Sequence, residues 1–111
     1  MYGKVQIGNE TVEMVANAAS PYIYKHIFRE DFLLKIREAE PEADLFQKMG
    51  YVMAKQAEIN GMSELMKLTI DGFYEWLMQF EAMDILAASD QISTIYLGQT
   101  ESASVPKNEA E

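Results

Sequence analysis

Cysteine is missing from this chain of 111 residues. That absence excludes disulfides, thiolate-bound zinc and thiol nucleophiles together. Histidine occurs once, so a metal site built on several imidazoles is excluded as well. Positive charge is scarce. Nine Lys and Arg stand against eighteen Asp and Glu, a formal net charge of −9. Binding to nucleic-acid phosphates would need a basic patch against that field. The nearest thing to one is Lys25, His26 and Arg29, and it is small. The acidic balance favours solubility and a basic or apolar partner. Long apolar runs are also missing. No stretch is long enough to cross a bilayer, and MYGKVQIGNE has no apolar signal segment. The expectation is an intracellular protein with neither membrane nor nucleic acid among its partners.

Hydrophobic residues make up 49% of the chain, enough for a folded core. The length suits a single globular domain, placed at 1–97, followed by a polar tail over 98–111 that is expected to be flexible. Two short alternating stretches, YGKVQI and ETVEMVA, flank Gly8-Asn9, the pattern of a β-hairpin within 2–16. In the second, Val12 and Met14 share one face. Ser20-Pro21 then reads as a helix start, with serine as N-cap and proline at the first helical position. Tyr24, Ile27, Phe28, Phe32, Leu33 and Ile36 follow at helical spacing. They predict a helix over 21–38 with a break point near 30.

A second helix restarts at Glu40-Pro41, with Glu42 and Asp44 in its first turn and Leu45, Met49, Val52 and Met53 on its apolar face. Phe46 lies at the border of that face. The helix runs to about Ile59, where Asn60-Gly61 supplies a left-handed stop. MSELMKL forms a single helical turn. A further helix from Thr69 or Asp71 carries Phe73, Trp76, Leu77 and Phe80 on one side and Tyr74 and Met78 on the other. A last helix opens at Asp84, lines up Ile85, Ala88, Ile92, Ile95 and Tyr96, and ends at Gly98. The fold class is therefore mainly α: an N-terminal hairpin, a compact bundle of four to five helices, and a disordered C-terminal tail.

Catalytic patterns are sparse. His26 has Glu30 four residues on, but no second histidine, nucleophile or converging acid accompanies them. Such an exposed helical pair contributes only about 0.3–0.5 kcal/mol. The acidic run Glu38, Glu40, Glu42 and Asp44 lacks the spacing of a calcium loop and reads as a solvated helix start. No nucleophile elbow, dinucleotide fingerprint or P-loop is present. The expectation is a non-enzyme with no cofactor and no metal. The eight methionines are more telling. Methionine is flexible and polarizable, so it fills cores but also makes adaptable binding surfaces. Met49 and Met53 belong with the core. Met62, Met66, Tyr74 and Met78, with the exposed ring among Tyr22 and Tyr24, are the expected partner-binding residues. Two apolar sides on the FYEWLMQF helix point to a partner helix or to self-association.

The order of these segments resembles a known family. A hairpin, SPYIYKHIFREDF, an acidic stretch, LFQKMGYVMAKQAE and FYEWLMQFEAMDILAASDQI follow one another, and a tail with a Pro-Lys element closes the chain. Over about residues 5–107 this is similar to the tail assembly chaperones of long-tailed phages and prophages of Gram-positive bacteria. The likeness is strongest at Pro21-Tyr22 through Phe32, at Tyr51 to Gln56, and at Glu75-Trp76-Leu77. These are packing patterns, so only their combination is specific. The resemblance implies a chaperone for the tape-measure protein, a long helix-rich chain that sets tail length. It implies residence in the host bacterial cytoplasm and absence from the mature virion. It also implies two products, this short one and a frameshift-extended one that reaches the tail-tube protein. Pro106-Lys107-Asn108 can be encoded as CCA-AAA-AAY, which carries a slippery heptamer, and sequencing of the gene tests that expectation. The rival reading from charge alone is an acidic regulator that mimics DNA and blocks a nucleic-acid enzyme. Its weakness is that the acids are scattered rather than aligned along one face.

Overall fold

The computed structural model describes residues 1–38, 40 and 42–98. The tail expected beyond Gly98 and the Pro106–Asn108 element lie outside the described residues. Strand β1 (Tyr2–Ile7) pairs antiparallel with β2 (Glu10–Val15), with Ile7 opposite Glu10 across the turn. Of the two turn residues only Gly8 has a positive φ, 61°. That is the glycine-first pattern of a type II′ turn, whose twist matches the strands it joins. Val5, Ile7 and Met14 point into the core, and Val12 packs against it.

Seven helical segments follow: α1 (Ser20–Phe28), α2 (Phe32–Lys35), α3 (Leu45–Glu58), α4 (Met62–Leu65), α5 (Ile70–Leu77), α6 (Ala82–Ala87) and α7 (Ser89–Tyr96). α2 and α4 are single turns, and α6 and α7 meet at the buried Ala88, so the bundle has four principal helical lengths. The break expected near 30 falls at Arg29, which adopts the left-handed conformation (φ 59°) while its N–H donates to the Lys25 carbonyl. This closes α1 and turns the chain. Asp31 then caps α2 by accepting from the Leu34 N–H.

α3 is the central element. β2 packs along it, and α1, α5 and α7 surround its other sides. Its buried face carries Leu45, Met49, Val52 and Met53 as expected, with Phe46 half-buried at the border. Gly50 lets α7 approach closely, since a Cβ there would stand 2.8 Å from the Ile92 Cδ1. Aromatic rings tie the ends of the core together: Tyr24 meets Phe28 at a tilt and Phe32 edge-on, and Phe73 meets both Phe28 and Tyr51 edge-on.

Several local expectations are corrected. Ser20 does not cap α1. Its hydroxyl is buried, accepts from the Asn17 N–H and donates to the Gln56 Oε1, tying the loop to α3 instead. α3 begins at Leu45, so Glu42 and Asp44 precede its first turn rather than occupy it. Ile59 ends it in an extended conformation, and Gly61 (φ 98°, ψ 136°) is not a left-handed cap but the residue before α4. Leu33, expected on the apolar face, is exposed beside Leu34, because α2 is one turn long and buries only Phe32. Thr69 does act as a cap, accepting from the Gly72 N–H and starting α5 where expected.

Candidate functional site

The residues expected at a partner surface separate on the structure. Tyr24 is excluded. It is fully buried, and its hydroxyl donates to the Glu30 carboxylate. Lys48 donates to the same carboxylate at 3.2 Å, lies 3.6 Å from Asp44 and sits over the Phe28 ring. Burial and then the Glu30 carboxylate push the Tyr24 hydroxyl strongly upward in pKa. Burial opposes the charge of Glu30, but the Tyr24 hydroxyl and Lys48 ammonium outweigh it and hold the carboxyl below its usual range. Lys48 is likewise disfavoured by burial yet held above its usual range by Glu30 and Asp44. Glu30 is therefore committed to the core rim, and the His26–Glu30 pair read from the sequence does not form. His26 donates instead from Nε2 to the Met66 carbonyl at 2.6 Å.

The other candidates remain accessible. Tyr22 is 69% exposed on the outer side of α1, one turn before His26. Met62 is exposed and sits one turn before the half-buried Met66. Met66, His26, Leu68 and Ile70 line one groove of about 420 Å³, where α1 meets the segment joining α4 to α5. From Ile70 the surface continues along α5 in steps of four: Ile70, Tyr74 and Met78, the last 84% exposed. Residues four apart on a helix are neighbours, so this is a continuous apolar stripe. Its opposite side carries Phe73 and Trp76 into the core, so α5 has the two apolar sides read from its sequence.

Beyond Met78 lies a second groove of about 360 Å³, where α5 turns into α6. Leu77, Phe80, Met83 and Leu86 line it, and Met83 is 71% exposed. Met83 and Leu86 were not among the expected partner residues. Their i, i+3 spacing was visible, but the last helix was expected to open at Asp84, which left Met83 outside it, whereas α6 begins at Ala82. The site as a whole is a band of adaptable apolar side chains. Among the described residues, no three His, Asp or Glu side chains come together to hold a metal. No helix among them is long and apolar enough to cross a membrane. Comparison with family models, with curated proteins and with solved structures returns no match to this chain.

Proposed function

We propose that this chain is a tail assembly chaperone that covers apolar helical segments of a tape-measure protein until tail-tube subunits polymerise around it. The reading rests on the segment resemblance set out above. One structural observation carries it furthest: the exposed Ile70–Tyr74–Met78 stripe leads into the Leu77–Met83–Leu86 groove. A client helix that shows an apolar face aggregates alone and is kept soluble when a flexible apolar surface covers that face. Methionine suits a surface that must accept many successive segments of one long client. The net charge of −9 then keeps loaded complexes apart.

The test is co-expression with the long helix-rich product that the proposal expects from a neighbouring gene. That neighbour is expected to be soluble and to co-purify with this chain, and to precipitate when this chain carries Tyr74→Ser with Met78→Lys. A neighbour equally soluble without the chain, or held equally well by the double variant, overturns the proposal. Capture of a basic nucleic-acid enzyme instead, in a complex dissolved by salt, would favour the acidic-regulator reading.

A further inference from the structure

The two edges of the hairpin are treated differently by the rest of the chain. Ile7 and Glu10 close a two-residue turn, so odd-numbered residues of β1 direct their N–H and C=O groups at β2. Met1 shows the same parity, since its ammonium and its carbonyl both bond Ala16. Tyr2, Lys4 and Gln6 therefore aim their peptide groups outward on one edge, and Thr11, Glu13 and Val15 on the other. On the β1 edge, Gln91 of α7 reaches Gln6. Its Oε1 accepts the Gln6 N–H at 3.2 Å, and its Nε2 stands 3.5 Å from the Gln6 carbonyl. An amide side chain thus occupies the place of a neighbouring strand's peptide group. On the β2 edge no described residue bonds the outward groups of Thr11, Glu13 or Val15.

A groove of about 330 Å³ runs beside that open edge, between β2 and the C-terminal ends of α3 and α5. Trp76 and Phe80 form its apolar wall, and Glu10, Glu13 and Glu58 bring carboxylates to it. Lys55, the one cation among the lining residues, lies 3.5 Å from Glu58. We infer that the β2 edge takes an extended peptide as a third strand, one in which apolar residues alternate with lysine or arginine. An added strand gains affinity from main-chain hydrogen bonds and specificity from alternate side chains. One set of its side chains would follow Val12 and Met14 inward, toward Trp76 and Phe80. The other would share the outer face with Glu13, where a cation is complementary. A second copy of this chain is a poor occupant, because its own Glu10 and Glu13 would meet the same carboxylates. The site lies apart from the Ile70–Tyr74–Met78 stripe, shares Phe80 with the groove beyond it, and does not depend on the chaperone reading.

The probe is a short synthetic peptide of alternating valine and lysine, with an alternating valine–glutamate peptide as control. Trp76, the single tryptophan, reports binding by its emission, and amide exchange reports pairing. In the free protein the Thr11, Glu13 and Val15 amides are expected to exchange freely. The basic peptide protects them and shifts the emission, and the acidic peptide does neither. Glu13→Pro removes an N–H that the hairpin does not use, and it weakens binding about tenfold or more. Glu13→Gln keeps that N–H and weakens binding only at low salt. Three outcomes overturn the inference: no binding by the basic peptide, binding indifferent to Glu13→Pro, or protection of these amides in the free protein. The third would mean that a second copy or another part of the chain already covers the edge. The exchange measurement on the unsubstituted protein decides the matter even if the proline variant does not fold.

Discussion

Tyr24, Glu30 and Lys48 form the most committed polar group in the molecule, and its behaviour with pH follows from its geometry. Replacing Glu30 by Gln keeps the shape but weakens two hydrogen bonds made to a charge. The expected loss is about 1–2 kcal/mol in urea unfolding, after allowance for partial solvent screening. Glu30 is held below its usual range, so its contribution is complete above the unfolded carboxylate value, roughly pH 4.3, and is lost as pH falls through the lower native value. Tyr24 and Lys48 are both held above theirs. Their contributions are complete below roughly pH 10, the unfolded values, and are lost as pH rises through the native ones. A stability plateau between those limits is expected, and Glu30→Gln should flatten its acid shoulder. Helical spacing already put Tyr24 on the apolar face with Ile27 and Phe28 and Tyr22 on the opposite side. What periodicity did not supply is the partner of the Tyr24 hydroxyl, because the left-handed turn at Arg29 is what swings Glu30 back under it.

At the scale of elements, two positions govern how helices end and cross. Arg29 holds a left-handed conformation that L side chains rarely adopt. Arg29→Gly is expected to raise stability by about 0.5–1 kcal/mol, read as a higher urea midpoint at unchanged slope. The α3–α7 crossing depends on Gly50. A methyl there gains roughly 1 kcal/mol of helix propensity but overpacks Ile92 at about 1–3 kcal/mol, so Gly50→Ala should destabilise on balance. Adding Ile92→Val removes the methyl in the way. Its cost should be smaller in the Gly50→Ala background than in the parent, and a double-mutant cycle measures the difference. The hairpin and the start of α5 were legible because Gly8 and Thr69 act locally. The start of α3 was not. Pro41 and two acids imitate a helix opening, while the helix itself begins only where Leu45 reaches the core.

For the whole molecule, the apolar band on an acidic surface is the feature with the widest reach. The Tyr74→Ser, Met78→Lys double variant removes exposed side chains and opens no cavity. Its unfolding free energy should stay within about 0.5 kcal/mol of the parent, while its binding of an apolar dye falls. An equal loss of stability would assign those side chains to the core. The mainly helical class and the inward aromatics of α5 followed from periodicity. Two of the grooves did not, because each lies between elements distant in the chain and depends on how they dock: α1 against the segment before α5, and β2 against the ends of α3 and α5. The Gln6–Gln91 pairing has the longest reach of these, spanning 85 residues. During synthesis the first strand leaves the ribosome well before the side chain that closes its edge is made. The hairpin therefore has to wait with that edge open, and ribosome-bound chains stalled before α7 should exchange the Gln6 amide rapidly where released chains do not.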